Sequence, residues 1–250
     1  MNNPFSLQNK TILVTGASSG IGKQACITLA QMGANVVATA RHEQRLAQTL
    51  SALPHPERHL KIVADLTQPH SLSALVSQCP NLSGIVHSAG LLKLIPFKFA
   101  TPDALDQIMQ LNFYAPMWLT QQLLKQKKIE SGASILFLSS ISGNTTATLG
   151  HSLYASSKTA LNGLTKVLAI ELAGKKIRVN SLLPGMVRTE LMDELLKTLS
   201  VEQLAADEKR YPLGYGNPEN ISQTVAFFMS DASQWITGTN LVIDGGFSLI

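Results

Sequence analysis

Cysteine is nearly absent from this chain of 250 residues, which has only Cys26 and Cys79. They stand far apart and without metal-ligand spacing, which argues against a disulfide scaffold and against a thiolate metal site. Cys26 falls inside a helical pattern and reads as a packed side chain. His55, His59 and His70 lie in a proline-interrupted stretch and form no zinc pattern, so no metal is expected. No apolar run approaches the ~18 residues of a membrane span. The opening Met1-Asn2-Asn3-Pro4-Phe5-Ser6 has neither the basic end nor the apolar stretch of a secretory signal, so a reducing cytoplasm is the expected setting. Charge of one sign is also scarce, with a net of +4. Lys125, Lys127 and Lys128 fall at a helix end, where cations suit the dipole, and Lys175, Lys176 and Arg178 fall in the turn before a strand. Both clusters read as solvated helix ends. Aromatic and basic residues do not interleave as a single-strand platform requires. Neither nucleic acid nor membrane is therefore expected as a partner, while an acidic carrier stays open. No linker divides the chain, and residues 1–250 read as one domain.

Short apolar runs alternate with helical patterns from end to end. Strands are expected near 11–15, 35–39, 60–64, 83–88, 133–139, 177–183 and 240–244. Helices are expected near 19–32, 42–52, 69–78, 101–128, 151–173 and 218–229. This alternation predicts an α/β fold, a doubly wound Rossmann-type parallel sheet of about seven strands with helices on both faces. Ligands in that architecture bind at the carboxyl ends of the strands. Gly16, Gly90, Ser140 and Pro184 all fall just past expected strand ends.

Two motifs carry chemistry. Thr11-Ile12-Leu13-Val14-Thr15 runs into Gly16-Ala17-Ser18-Ser19-Gly20-Ile21-Gly22 and then a helical pattern closed by Gly33. A glycine turn between strand and helix lets backbone N–H groups approach a pyrophosphate, with the positive end of the helix dipole facing it. The spacing is G-x-x-x-G-x-G rather than the usual G-x-G-x-x-G. In the second motif, Tyr154 and Lys158 stand four apart on one helical face. A phenol titrates at roughly 10, too high for easy proton traffic at neutral pH. A nearby ammonium is expected to lower that value and make the pair a tuned acid/base. Ser140 has a hydroxyl suited to hold a substrate oxygen.

Further segments complete a pattern. They are Asp65-Leu66, His87-Ser88-Ala89-Gly90, Asn112 in Leu111-Asn112-Phe113, Ser139-Ser140, Pro184-Gly185-Met186-Val187-Arg188-Thr189, and Asp244-Gly245-Gly246. In order and spacing the whole chain resembles the short-chain dehydrogenase/reductase family in its compact form. Its general look is similar to 3-oxoacyl-carrier-protein reductases and their sugar- and ketone-reducing relatives. The resemblance implies an oxidoreductase with Asn112, Ser140, Tyr154 and Lys158 as the catalytic set. It implies that Lys158 also bonds the nicotinamide ribose, and that Asn112 kinks its helix and holds a relay water. Gly16, Ser18, Ser19, Gly20, Ile21, Gly22, Arg41, Asp65, Leu66, Ala89, Gly90, Tyr154, Lys158, Pro184, Gly185, Val187 and Thr189 would contact the cofactor. His87 and Ser88 stand where the family has two asparagines, so altered bracing of the loop is expected. Thirteen residues separate Ser140 from Tyr154, within the family's range.

The expected cofactor is NADP(H). At the end of the second strand an NAD site usually places an acid, and here Ala40 stands there. Arg41 follows and could pair with a 2′-phosphate, with Ser18 and Ser19 adding hydroxyls. The expected reaction is reduction of a ketone or 3-oxoacyl carbonyl to a hydroxyl. Oxidation of a sugar, polyol or other secondary alcohol is the alternative within the family, and a non-catalytic NADP-binding scaffold or sensor the alternative outside it. An epimerase or dehydratase fits less well, because the chain is short and its glycine spacing differs. Leu91 to Phe97 and Leu191 to Leu204 are candidate pocket walls, with a lid near 186–213. Leu191, Leu195 and Leu199 are also spaced for ordinary helix packing. Leu161, Leu164 and Leu168 form one apolar stripe, and the end Phe247-Ser248-Leu249-Ile250 is apolar. Together with the long helices they suggest a homotetramer.

Overall fold

The computed structural model describes residues 3–190, 192 and 200–249. Within them the elements run in the order β1 (Thr11–Thr15), α1 (Gly20–Gln31), β2 (Asn35–Ala40), α2 (Glu43–Ser51), β3 (Leu60–Val63), α3 (Pro69–Gln78), β4 (Leu82–His87) and α4 (Pro102–Met109). After a π-helical turn at Gln110–Tyr114 come α5 (Ala115–Lys125), β5 (Ile129–Leu138), α6 (Ser152–Glu171), β6 (Arg178–Pro184), α7 (Val201–Glu208), α8 (Pro218–Met229) and β7 (Asn240–Ile243). The seven strands form one sheet in the order β3-β2-β1-β4-β5-β6-β7. Every pairing is parallel, as the alternation of strand and helix requires.

Both faces of the sheet are covered, and the period-2 alternation shows how. Ile12, Val14, Val36, Ala38, Leu136 and Leu138 point into a core shared with α1, α2 and α8. Leu13, Val37, Ile85, Ile135 and Phe137 point into the opposite core with α3, α5 and α6. Strands buried on both sides read as continuous apolar runs, which is how β1, β4 and β5 read in sequence. A third, small cluster of Met192, Tyr211 and Tyr215 lies under α7, with Phe247 stacked on Tyr211 at 4.3 Å.

The structure corrects several expectations. The single helix expected over 101–128 is two helices divided by the π turn. Pro116 has no N–H to donate, and Ala115 N–H instead reaches back to the carbonyl of Gln110. Helix α7 is an addition to the expected elements. It opens with a capping box in which Ser200 accepts from Gln203 N–H and the Gln203 side chain accepts from Ser200 N–H. Arg178 is not at a solvated helix end. It is buried at the start of β6, where its guanidinium donates to the carbonyls of Phe228, Ser230 and Ser233 and to the Ser233 hydroxyl. Of the stripe, Leu161 is buried in the sheet core, and Leu164 and Leu168 are half-buried against it. The exposed apolar residues of α6 are Val167 and Ile170, and those beside them near α5 are Tyr114 and Trp118. Of the expected lid, residues 186–190, 192 and 200–213 are described, while Leu191, Leu195 and Leu199 lie outside the described residues, as does Ile250.

Candidate functional site

The carboxyl ends of β1, β4, β5 and β6 converge, and with them the motifs. Gly16 leaves β1 at φ +67, a left-handed conformation that glycine adopts freely. A Cβ there would lie 2.8 Å from the backbone of Ala89, and one at Gly22 would collide with the carbonyl of Gly16. A Cβ at Gly90 would come within 3.2 Å of Lys158 Nζ and 3.5 Å of Asn112 Oδ1. These glycines let the loops after β1 and β4 pack backbone to backbone at the N-terminus of α1, where backbone N–H groups can face a dinucleotide pyrophosphate. Ser19 is the N-cap residue of α1, yet its hydroxyl makes no capping bond. The residues present therefore fit a dinucleotide.

The cradle is braced by the threonine that opens the glycine loop. Thr15 ends β1, and its Oγ1 accepts from the N–H groups of both Ser88 and Ala89 at 3.1 Å. His87, one of the two residues at which altered bracing is expected, turns into the core. It stacks on Phe137 at 4.9 Å and pairs through Nε2 with the Thr120 hydroxyl at 2.9 Å. Burial pushes its pKa down to about 3, so it is neutral. The Ser88 hydroxyl faces Gly22, 3.2 Å from where a Cβ would stand.

At the adenine side, Asp65 accepts from the N–H and hydroxyl of Thr67. These bonds, with the nearby Arg41 guanidinium, hold its carboxyl below the usual range. Leu66 is buried beside it. Arg41 stands exposed just past β2. Two residues outside the sequence motifs adjoin this region. Glu190 Oε2 accepts from Gly20 N–H at 2.9 Å, so a carboxylate caps the positive end of α1. Arg45 Nη2 lies 3.7 Å from the other oxygen of Glu190. Arg45 comes one helical turn after Arg41, a signal the sequence contained.

The chain from β6 continues the same wall. Gly185 packs so closely on Asp244 that a Cβ would lie 2.9 Å from the Asp244 side chain. Asp244 in turn accepts from Gly246 and Ser248 N–H groups. Val187 is buried and bridges to Gly216, and Thr189 packs over Gly20.

The candidate catalytic residues come together at the ends of β4 and β5. Tyr154 and Ser140 stand side by side, with the Ser140 hydroxyl near enough to the phenol to favour its ionised form. Lys158 Nζ lies 5.9 Å from the centre of the Tyr154 ring and donates to the carbonyl of Leu138 at 2.7 Å. Asn112 sits in the π turn. Its Oδ1 accepts from Leu91 N–H at 2.7 Å, and its Nδ2 donates to Leu91 O and to the Ser157 hydroxyl. The expected lowering of the tyrosine pKa by the lysine is overturned. Burial pushes the Tyr154 phenol up, with the Ser140 hydroxyl opposing it. Burial also pushes Lys158 down to about 8, so the lysine still carries its charge at neutral pH without setting the direction of the phenol's shift.

The rim around Tyr154 is built from two loops. Ile95 N–H donates to Gly150 O at 2.9 Å and ties the loop after β4 to the loop after β5. His151 stands at the N-cap position of α6, with its side chain making no capping bond. Its Nδ1 pairs with the Ser142 hydroxyl at 3.1 Å, and Ser142 N–H donates to Ser140 Oγ at 3.1 Å. His55, His59 and His70 are not gathered. His59 instead accepts from Val36 N–H and bonds the carbonyl of Pro54. Cys26 is buried, and burial pushes its thiol up.

The chain is similar to known proteins over nearly its whole length. The family profile described as enoyl-(acyl carrier protein) reductase matches residues 16–248. The chain is 33% identical to oxidoreductase UcpA of Escherichia coli K12 over 254 residues, 97% of this chain and 96% of that protein. It is 32% identical to the 3-oxoacyl-[acyl-carrier-protein] reductase FabG of Rickettsia bellii, covering 98% of this chain and 100% of that one. To the D-erythrulose reductase of Gallus gallus it is 30% identical, covering 99% of each. A crystal structure of a short-chain type dehydrogenase/reductase from Mycobacterium marinum superposes with a TM-score of 0.85 at 32% identity, covering 98% of this chain and 97% of that one. The chain belongs to the short-chain dehydrogenase/reductase family, oxidoreductases that bind a nicotinamide cofactor.

Proposed function

We propose that this protein is an NADP(H)-dependent reductase that converts a ketone to a secondary alcohol, with Tyr154 as the proton donor. The observation that carries the reading is the gathering of Tyr154, Ser140, Lys158 and Asn112 beside Gly90 at one sheet edge. When bound, the nicotinamide supplies the hydride. The protein's own groups do the rest. Ser140 and Tyr154 both present hydroxyls to one point, so a carbonyl oxygen there meets two donors as negative charge develops on it. A phenol pushed up by burial stays protonated until that charge appears, which suits a general acid. Lys158, held by Leu138 O, keeps a positive or partly positive group near the phenol and under Gly90. Asn112 fixes the backbone of Leu91 and the hydroxyl of Ser157 behind the pair.

For the 2′-phosphate, Arg41 is the main partner. Ala40 supplies no carboxylate to repel it, and Arg45 stands one turn away. FabG acts on 3-oxoacyl groups and the avian relative on D-erythrulose, so the substrate is a carbonyl compound of one of these kinds. Residues 1–250 act as one domain, with 186–213 as its lid. A cytoplasmic setting fits the two buried free cysteines. The exposed Tyr114, Trp118, Val167 and Ile170 suit a symmetric contact between copies, in a homotetramer.

The test is Tyr154→Phe. Turnover of ketones is expected to fall by about 10²–10⁴-fold while NADPH binding and the melting temperature hold. Steady-state kinetics, cofactor titration and a melting curve read all three. A variant that binds NADPH, melts normally and reduces ketones at the parental rate would end the reading.

A further inference from the structure

His151 is a polar side chain at the substrate rim that the reaction above does not use. Its ring stands edge-on to the Tyr154 ring, with centroids 5.9 Å apart at 80°. Two bonds hold it there. Its carbonyl accepts from Ala155 N–H at 2.7 Å, and its Nδ1 pairs with the Ser142 hydroxyl. Ser142 N–H in turn donates to Ser140 Oγ. Ser142 thus ties the candidate oxyanion donor to the imidazole, holding one with its N–H and the other with its hydroxyl. The surrounding loop is tightly built. Gly143 at φ +81 leaves room for Ala155, and the N–H groups of Asn144, Thr145 and Thr146 all point to Ile141 O. With Nδ1 engaged, the imidazole has one nitrogen left for a ligand.

We propose that His151 recognises the substrate by hydrogen-bonding a hydroxyl on the carbon next to the reacting carbonyl, which makes α-hydroxy ketones the preferred substrate class. This rests on the ketone-reductase reading and deepens it. The chemistry of the group selects the partner. Burial pushes the His151 pKa down, so the ring is neutral at working pH and offers a carboxylate no charge. A hydroxyl can donate or accept, so it satisfies the free nitrogen in either tautomer, whereas a second carbonyl could only accept. Oxygens on neighbouring carbons are close enough for one to meet Tyr154 and Ser140 while the other meets the adjacent ring. The neighbouring Leu92, Leu94 and Leu149 side chains offer a substrate hydroxyl no hydrogen bond, and the Lys93 ammonium is already taken by Gln107.

Hydroxyacetone and butanone test the idea, since they differ by a hydroxyl in place of a methyl at the position in question. The wild-type protein should show a higher kcat/KM for hydroxyacetone. In His151→Phe the ratio of the two kcat/KM values should fall about tenfold, carried mainly by KM, the loss expected for one hydrogen bond. His151→Gln should restore part of the ratio. A purely structural histidine predicts something else: both substrates lose equally and the melting temperature drops, which would overturn the proposal. A second readout needs no turnover. In protein loaded with oxidised NADP and labelled with ¹⁵N-histidine, the resonance absent from His151→Gln should move on adding hydroxyacetone and hold still on adding butanone. No movement with hydroxyacetone would also overturn it. If the protein reduces no carbonyl at all, the reductase reading fails, and the resonance shift alone decides the role of His151.

Discussion

The cofactor half of the site and the substrate half are built by different means. In the cofactor half the backbone itself forms the surface. Gly16 and Gly22 leave no room for a Cβ, Gly90 leaves little, and the Thr15 hydroxyl ties the two loops together by accepting a pair of bonds. In the substrate half, side chains form the surface on loops that carry exposed Leu94, Phe97, Phe99 and Leu149. The backbone half accepts one shape of ligand, set by a conformation that almost any side chain would disturb. The side-chain half can be rewritten residue by residue without touching the fold. Binding of a common cofactor and discrimination among substrates thus reside in different materials within one sheet edge.

Lys158 sits on the border, buried under Gly90 yet beside Tyr154, and gives the largest expected effect on this contrast. Its pKa lies near 8 folded and roughly 10.4 unfolded, so between these values the unfolded chain holds more protons. Stability therefore rises with pH across that window and the cost of the buried charge is fully present below it. Lys158→Met should be more stable than the parent at pH 7 by up to about 3 kcal/mol, and the gap should close towards pH 10. Denaturant curves at several pH values would show it. A constant gap would mean that Leu138 O and its surroundings compensate the charge in full.

Gly22→Ala attacks the backbone half directly. The added methyl must displace the Gly16 carbonyl, and overpacking of this kind costs about 1–3 kcal/mol, so NADPH affinity should fall by about 100-fold. A fluorescence titration giving parental affinity would show that the cradle is softer than its packing implies. Arg41→Ala probes the one part of cofactor recognition that depends on a side chain. The preference for NADPH over NADH should drop about tenfold with little change for NADH, within the range of a charge-assisted bond. Kinetic constants for both cofactors decide it, and an unmodified protein that prefers NADH would refute the assignment.

Glu190→Gln gives the smallest change. The glutamate carboxylate caps α1 where a phosphate would be stabilised, so losing its charge should tighten NADPH binding about threefold, an effect of the size seen for single charges at helix ends. Weaker binding in the variant would mean that Glu190 supports the cofactor instead of competing with it.

Much of the fold and the site is legible in the sequence because it obeys local rules. β1, α3 and α8 fall where the apolar period and their opening residues put them: Pro69 and Pro218 each start a helix that needs no N–H at that position. The glycine loop and the Tyr154–Lys158 spacing are local too. The rest depends on residues far apart in the chain. Nothing near Arg178 announces the carbonyls of Phe228, Ser230 and Ser233 that bury it. Nothing near Leu161, Leu164 and Leu168 tells which of two apolar partners, sheet or neighbour, they meet. The direction of the Tyr154 pKa escapes the sequence for the same reason. Spacing reveals that a lysine is near, but only the packed interior shows that burial acts on both groups at once.

The π turn at Gln110–Tyr114 alters the helical phase of the residues after it. Each residue in an α-helix turns the chain by about 100°. A turn that closes on the fifth residue rather than the fourth therefore rotates every later side chain by about that angle relative to α4. This offset lets Asn112 point inward to Leu91 while Leu119 and Leu123 still reach the core and Trp118 faces out. One surplus residue sets the angular clock for all of α5. An insertion or deletion here would not lengthen or shorten the helix so much as spin it, exchanging its buried and exposed faces.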